Sequence, residues 1–211
     1  MKKKLVFTAS FIFLTFNFSA CSLKKEATGL KKVKQEESFS KNYENIVDDG
    51  YTIGDYHFYF ANFQKKDSET IKNNLQDFDS TIVKNFETYQ YKIDKTKKIN
   101  MLPFRIQYNP TDETIRTNYF LINNTNTKIS SIDIEGLPKL KNIDIVEPTT
   151  ISFSDEDFLQ LPTNGFISFS VTMSMPIEYI ESLKENKVND LSFDIIDLKI
   201  NGEKVDNSNE H

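Results

Sequence analysis

The chain has few of the residues from which most catalytic and metal sites are built. Its 211 residues include one cysteine, two histidines, six glycines and no tryptophan. A single cysteine rules out a disulfide framework within the chain, and the Cys and His set is too small for a structural zinc site. The glycines are scattered, so they form no glycine-rich phosphate loop. After residue 45 the only alanine is Ala61, which argues against a helical bundle.

The motifs of common hydrolases are also missing. Neither Gly-x-Ser-x-Gly nor His-Glu-x-x-His occurs. His57 lies in an aromatic segment, where we expect a packed or surface imidazole, and His211 is the last residue. We therefore expect no enzyme activity, no catalytic residue and no cofactor. A hydrolase with a pair of carboxylates stays open as an alternative, because the many acidic side chains offer many pairs.

Basic residues are fewer than acidic ones, and they are unevenly distributed along the chain. The whole chain has a formal net charge of −5, which argues against non-specific nucleic-acid binding. Residues 22–45 hold six lysines and four glutamates, a net of +2. Residues 46–211 hold 17 basic and 27 acidic residues, a net of −10. We expect no nucleic-acid partner and an acidic domain that does not lie flat on an anionic membrane.

The amino terminus has the pattern of an export signal. Lys2–Lys4 give it a positive start, and residues 5–18 are uncharged and almost wholly apolar. This apolar run is shorter than the 20 or so residues that a transmembrane helix needs. The run ends in Phe18-Ser19-Ala20-Cys21, and Cys21 is the only cysteine.

These four residues resemble the lipobox of bacterial lipoproteins, with Phe18 where that family usually has leucine. The resemblance implies removal of residues 1–20 and attachment of a diacylglyceryl group to Cys21. It also implies a lipid-anchored protein on the cell membrane that faces outside the cytoplasm. Two acyl chains bury enough CH₂ groups for stable attachment, whereas one chain gives only marginal binding.

Composition predicts the remaining domain boundaries. After the lipidated cysteine, the stretch to residue 45 has no sustained apolar period and is predicted to be a flexible linker. Residues 46–205 are predicted to form one β-rich extracytoplasmic domain. The last residues, 206–211, are predicted to be a frayed tail.

One long amphipathic helix is predicted over residues 68–93. Apolar residues form a single stripe along it, and polar residues occupy the other face. The stripe consists of Ile71, Leu75, Phe78, Ile82, Phe86, Tyr89 and Ile93.

From Ile99 onward the apolar residues alternate, as they do in strands with one buried face. Strands are predicted at residues 104–108, 115–122, 129–134, 143–146, 151–153, 166–175 and 191–200, separated by turns rich in Asn, Pro and Gly. In the clearest of these, Phe169, Val171 and Met173 share a face with Met175. The fold class is therefore predicted to be mostly β with one long helix (α+β), an antiparallel immunoglobulin-like β-sandwich preceded by an amphipathic helix.

The order of three segments carries a second resemblance. These segments are Ile99–Phe104, Thr117–Thr125 and Leu161–Phe169. Their order is similar to that in the immunoglobulin-like modules of Gram-positive lipoproteins and of S-layer-associated (SLAP) envelope domains. The resemblance covers about residues 99–200, and it implies a sandwich fold.

Two groups of residues are candidate ligand sites. Tyr51, Tyr56 and Phe58 belong to an aromatic segment of the kind that lines ligand pockets, although core packing is the alternative. Asp155 and Asp157 belong to the densest acidic cluster and are the candidates for a divalent cation, although a capped turn after Ser154 explains the cluster as well.

Two functions remain open at this point. The first is a non-catalytic surface lipoprotein whose β-sandwich binds a protein or a component of the cell envelope. The second is a receptor for a small molecule or peptide, or a hydrolase with a hidden carboxylate pair. A deep pocket lined by the three aromatic candidates favours the second, and a filled core favours the first.

Overall fold

A computed structural model describes residues 45–145 and 147–208. The predicted signal peptide, the lipid attachment at Cys21, the linker and His211 lie outside these residues. Within them the fold is β-rich α+β, as predicted. The strands are β1 (Tyr51–Ile53), β2 (Tyr56–Phe58), β3 (Ile99–Asn109), β4 (Thr114–Asn123), β5 (Ile132–Lys139), β6 (Thr149–Phe153), β7 (Gly165–Ser174), β8 (Ser192–Ile200) and β9 (Glu203–Lys204). The α-helices are α1 (45–49), α2 (Asn62–Lys65), α3 (Ser68–Gln76), α4 (Lys84–Tyr89) and α5 (Ile180–Lys184), with short 3₁₀ turns at Gln90–Lys92, Ile177–Tyr179 and Val188–Asp190.

The strands form two sheets. The first has five strands in the order β1-β2-β7-β4-β3, and the second has four in the order β6-β5-β8-β9. All neighbouring strands are antiparallel except β2 and β7, which pair in parallel through His57 with Gly165 and Phe58 with Phe166.

One apolar cluster contains side chains from both sheets. The five-stranded sheet contributes Tyr119, Leu121 and Phe169 among others, and the four-stranded sheet contributes Ile134 and Leu198 among others. The predicted face of β7 is confirmed, since Phe169, Val171, Met173 and Met175 all belong to this cluster. Tyr119 is 2% exposed, and this burial raises the pKa of its hydroxyl far above its ordinary value.

A second apolar cluster covers the opposite face of the five-stranded sheet. We call it the aromatic cluster, and its fully buried members include Phe58, Phe78, Phe86, Phe120 and Phe166. The rings interlock closely: the centroids of Phe86 and Phe166 are 3.9 Å apart in a stacked pair. The helical segment that follows β2 supplies Phe78, Ile82 and Phe86, so its apolar stripe packs on the sheet.

The helix predicted over residues 68–93 is not confirmed as one regular α-helix. The segment runs through α3, a π-helical turn at Asp79–Val83, α4 and a 3₁₀ turn at Gln90–Lys92. Four residues overshoot a full α-helical turn by about 40°, so Phe78, Ile82 and Phe86 would drift apart on an ideal helix. The wider π turn keeps the three on one face. The Asn85 side chain donates to the carbonyl of Thr81 at 2.7 Å, within this turn.

A β-bulge divides the outer face of the five-stranded sheet. The pairing of β3 with β4 shifts between Pro103 and Arg105, so Phe104 is an extra residue on β3. Phe104 joins the aromatic cluster and stacks on Phe120 with centroids 4.0 Å apart. Beyond the bulge, the same face carries polar side chains in two cross-strand rows: Arg105, Asn118 and Ser170 in one, and Gln107, Arg116 and Thr172 in the other. We call these six residues the arginine face.

Two strand predictions need correction. Residues 143–146 form no strand where the structure describes them; Ile143 makes only an isolated bridge to Leu140. The strand predicted over residues 129–134 begins at Ile132 and continues to Lys139. Glycine is needed at position 136, because a Cβ there would collide with the ring of Phe193 and the carbonyl of Asp194. Residues 206–208 are the part of the predicted frayed tail that the structure describes, and Asn207 there is hydrogen-bonded to Ile99 of β3.

No helix within residues 45–145 or 147–208 is long and apolar enough to span a membrane.

Candidate functional site

A groove of about 630 Å³ lies between the two sheets at one of their open sides. One wall is the start of β3, residues 99–103, and the other is the start of β8 with the residue before it, 191–195. The lining is completed by Lys92, Asp94, Thr96, Lys97 and residues 206–208. We call this site the edge groove. Each wall is five residues long, which is about 17 Å of extended chain.

Both walls of the edge groove are strand edges. β3 is the last strand of its sheet, and β8 is paired with β9 only at Lys199 and Ile200. The stretch Ser192–Asp197 therefore has a strand on one side, β5, and none on the groove side among residues 45–145 and 147–208. Unpaired strand edges expose rows of N–H and C=O groups that can pair with another extended chain.

The backbone after β9 closes one end of the groove. The Val205 N–H donates to the carbonyl of Leu198 at 2.9 Å, and the chain then leaves β8 and crosses to β3. There Asn207 acts as a short substitute strand. Its Oδ1 accepts from the Ile99 N–H at 2.8 Å, and its Nδ2 donates to the Ile99 carbonyl at 3.2 Å.

The next outward position on β3 is Met101. Because antiparallel strands alternate inward and outward backbone groups, Met101 points its N–H and C=O the same way as Ile99. No hydrogen bond to this pair of groups exists among the described residues. Pro103 follows at the next outward position, where a missing N–H costs nothing. The open part of the β3 edge is therefore centred on Met101.

The segment before β3 is held in place by Asn100. Its Oδ1 accepts from the Asp94 N–H at 2.8 Å, and its Nδ2 donates to the Asp94 carbonyl at 3.0 Å. The Asp94 carboxylate in turn accepts from the hydroxyl and the N–H of Thr96 at 2.6 and 3.0 Å. These hydrogen bonds lower the pKa of Asp94, so it contributes a negative charge to the groove at neutral pH. Lys92 and Lys97 also line the groove, which gives it both signs of charge.

The predicted aromatic site lies elsewhere. Tyr56 and Phe58 are buried in the aromatic cluster, and Tyr51 lies at the rim of that cluster with its ring 5.5 Å from the ring of Phe78. The Lys95 ammonium stands over the ring of Tyr56, 4.4 Å from its centroid. None of the three aromatic residues lines the edge groove.

The predicted cation candidates form a capped turn. Ser154 accepts from the Asp157 N–H through its hydroxyl at 3.3 Å, and the Asp157 carboxylate lies 2.7 Å from the ammonium of Lys66. This contact with Lys66 lowers the pKa of Asp157. Asp155 is exposed. No group of three His, Cys, Asp or Glu in the described ranges is arranged to hold a metal ion.

His57 lies where two short strands meet the chain that precedes them. Its Nε2 is 2.7 Å from the Asp49 carbonyl, and its Nδ1 is 2.8 Å from the Thr52 hydroxyl. Because a carbonyl can only accept, Nε2 carries the proton, and Nδ1 accepts from the hydroxyl in the neutral ring. The imidazole therefore ties the start of the domain to β2.

The edge groove is the site that sequence reasoning missed. Its walls come from segments about 90 residues apart in the chain, both of which look like ordinary alternating strands. No local pattern in the sequence reveals that these two strand edges face each other.

Comparison with known proteins gives no relative: no family model, no curated protein and no solved structure matches the chain.

Proposed function

We propose that the chain is a lipid-anchored surface lipoprotein whose β-rich domain binds a protein partner at the edge groove, without catalysis. The observation that carries this proposal is the pair of unpaired strand edges facing one groove. The proposed binding mode is β-augmentation, in which an extended segment of the partner adds a strand to an exposed sheet edge. Main-chain hydrogen bonds then give affinity, and alternate side chains give specificity.

The immunoglobulin-like sandwich is part of the proposal, and the strand order supports it. An immunoglobulin-type sandwich places strands A, B and E in one sheet and C, F and G in the other, with C′ added beside C in some types. Here β7-β4-β3 corresponds to E-B-A, and β6-β5-β8-β9 corresponds to C′-C-F-G. The shared apolar cluster between the sheets is the core that such a sandwich requires.

This correspondence suggests that the edge groove is the place of a shortened last strand. Strand G normally runs the length of strand F, but β9 has two residues and the chain then crosses to β3. The groove lies along the part of β8 that a longer last strand would cover. A partner segment bound there takes the place of that strand, as in the donor-strand complementation of pilins.

The proposed anchor rests on the lipobox pattern and is tested separately. In the producing cell, Cys21→Ala is expected to abolish incorporation of labelled palmitate and to release the protein or leave it unprocessed. Cys21→Ser serves as a near-isosteric control with the same expected outcome. Label that persists on either variant contradicts the anchor.

The groove is tested by peptide selection on the full-length chain in detergent micelles. Random peptides of about twelve residues, long enough for one strand, are displayed on phage and selected for binding. We expect amide hydrogen exchange at Met101 and along Phe193–Ile195 to slow when a selected peptide binds.

Two exposed serines in the four-stranded sheet offer a matched pair of variants. Ser192→Arg places a long side chain at the groove, and Ser152→Arg places the same side chain on β6, the opposite edge of the sheet. We expect Ser192→Arg to weaken peptide binding at least about tenfold and Ser152→Arg to leave it within about twofold. If both variants bind the selected peptides as tightly as the wild type does, the groove is not the binding site.

A small-molecule receptor is the second candidate, because the groove volume falls in the range of small-ligand sites, about 300–1,000 Å³. Selection that yields no peptide, together with a small molecule that raises the thermal stability of the wild type but not of Ser192→Arg, favours this candidate.

A further inference from the structure

The arginine face concentrates a scarce residue type. The domain from residue 46 onward has 15 lysines but only two arginines, and both arginines lie on this face. Arg105 is paired across the strands with Asn118, and Arg116 with Gln107, so the two arginines are diagonal neighbours on β3 and β4. Diagonal neighbours have Cα atoms about 7–8 Å apart, which lets two long side chains reach one ligand.

Arginine is the cation best suited to bind a planar or tetrahedral anion. Its guanidinium presents five N–H donors in a rigid fork that matches carboxylate and phosphate groups. Arg116 is half-buried and has no ion-pair partner in the part of the chain that the structure describes. Arg105 already interacts with another group of the protein. It therefore adds positive charge beside Arg116, and its guanidinium is not assigned a direct contact with the anion.

The residue between the arginines has an unused acceptor. Asn118 is 2% exposed, and its Oδ1 has no hydrogen-bond partner within residues 45–145 and 147–208. An unsatisfied acceptor at such a depth costs free energy unless a donor reaches it. On the neighbouring strand, Ser170 and Thr172 add half-buried hydroxyls that can donate or accept.

The chemistry of the face selects among ligand classes. Its six side chains include no aliphatic or aromatic residue, so the face lacks the tryptophan and tyrosine anchors that accompany arginine at the centre of protein interfaces. The face instead offers guanidinium donors, amides and hydroxyls side by side. A ligand with many hydroxyls and at least one anionic group can use all three.

We propose that the arginine face binds an acidic glycan, with Arg116 holding a carboxylate or phosphate group and the amides and hydroxyls holding sugar hydroxyls. The proposal does not depend on the edge groove, which lies on a different part of the molecule and takes an uncharged backbone. The domain as a whole has a net charge of −10, so attraction for an anion depends on local groups such as these two arginines.

The test uses the full-length chain in detergent micelles and two named probes. One is polygalacturonate, which carries carboxylates, and the other is dextran phosphate; neutral dextran of the same size is the blank. Binding is measured by biolayer interferometry at about 0.15 M salt, where non-specific attraction between distant charges is screened. We expect the wild type to bind at least one acidic glycan and not neutral dextran.

Three variants separate the effect of the guanidinium's forked hydrogen-bond geometry on glycan binding from the effect of its positive charge. Arg116→Gln is expected to weaken glycan binding at least about tenfold. Arg116→Lys keeps the charge but loses the fork, so an intermediate loss of about threefold is expected. Lys128→Gln removes one exposed charge from a loop outside the face and is expected to stay within about twofold.

Each contrary result overturns the proposal. The proposal fails if the wild type binds neither acidic glycan, or if Lys128→Gln weakens binding as much as Arg116→Gln. It also fails if the chain ignores both glycans but binds phosphatidylglycerol vesicles in an Arg116-dependent way, since the partner is then a lipid surface. Because Arg116→Lys retains the size and charge of the side chain, it remains informative even if Arg116→Gln folds poorly.

Discussion

The outer face of the five-stranded sheet has two halves that differ in almost every respect. One half carries Phe120 and Phe166 and is covered by the helical segment from α3 to α4. The other half, the arginine face, begins two residues away on the same strand, at Asn118, and carries no apolar side chain. The boundary is the bulge at Phe104, which gives one extra phenylalanine to the covered half and leaves Arg105 at the start of the other. The comparison separates two tasks: one half supplies stability, and the other is available for a ligand.

The largest expected effect comes from Phe120→Ala. Phe120 is fully buried and stacks on Phe104, and its ring lies 5.4 Å from that of Phe86. We expect a loss of about 3–5 kcal/mol in the free energy of unfolding, measured by urea denaturation. Asn118→Ala, two residues away on the same face, is the matched variant and is expected to cost less than about 1 kcal/mol, because its acceptor is unsatisfied. Similar losses for the two variants would break the comparison.

A smaller loss is expected at the seam between the halves, for Gln64→Ala. Gln64 is 4% exposed; its Oε1 accepts from the Ala61 N–H at 2.9 Å, and its Nε2 donates to the Ser168 carbonyl at 3.0 Å. Truncation leaves both backbone groups without their partner, which we expect to cost about 2 kcal/mol. Gln76→Ala, at an exposed position of α3, serves as the control and should change stability by less than about 0.5 kcal/mol. Equal effects would mean that the two hydrogen bonds contribute nothing.

On the arginine face itself, Arg116→Gln is expected to change the free energy of unfolding by less than about 0.5 kcal/mol. The reason is that Arg116 makes no ion pair within residues 45–145 and 147–208. Urea denaturation of the same samples used for glycan binding measures this directly. A loss above about 1 kcal/mol would give Arg116 a structural role and remove the contrast between the halves.

The smallest effect concerns the capped turn at the other side of α2. Lys66→Met removes the ammonium that lowers the pKa of Asp157, so this pKa should rise toward its ordinary value. Because the folded-state pKa is lowered, the contribution of the pair is present above the unfolded pKa and is lost as pH falls through the folded value. Carbon-detected NMR titration of the Asp157 carboxyl measures the change, with Asp155 as the internal control. An unchanged Asp157 titration would contradict the role of Lys66.

The sequence patterns predicted the β-rich α+β class and the inward face of β7 correctly, because alternation reports directly which side of a strand is buried. One regular α-helix over residues 68–93 is not confirmed, and the two successive spacings of four at Phe78, Ile82 and Phe86 indicate the wider turn that interrupts it. The extension of β5 through Gly136 was not predicted, because glycine usually indicates a turn. Here glycine makes room for the ring of Phe193, which lies on a partner strand some 55 residues away. For the same reason neither the edge groove nor the arginine face could be assembled from the sequence. Each requires the register between strands, and no local pattern contains it.

The parallel pairing of β2 with β7 sets the order in which the molecule is completed. Phe58 precedes Phe166, its register partner, by 108 residues. Until β7 pairs with β2, the first hairpin lacks its neighbouring strand. The phenylalanines of residues 58–120 then have no complete sheet to cover. Contacts between residues so distant in the chain slow folding. Burial of the aromatic rings that precede β7 therefore depends on a strand far along the chain, and these rings stay exposed until β7 joins the sheet.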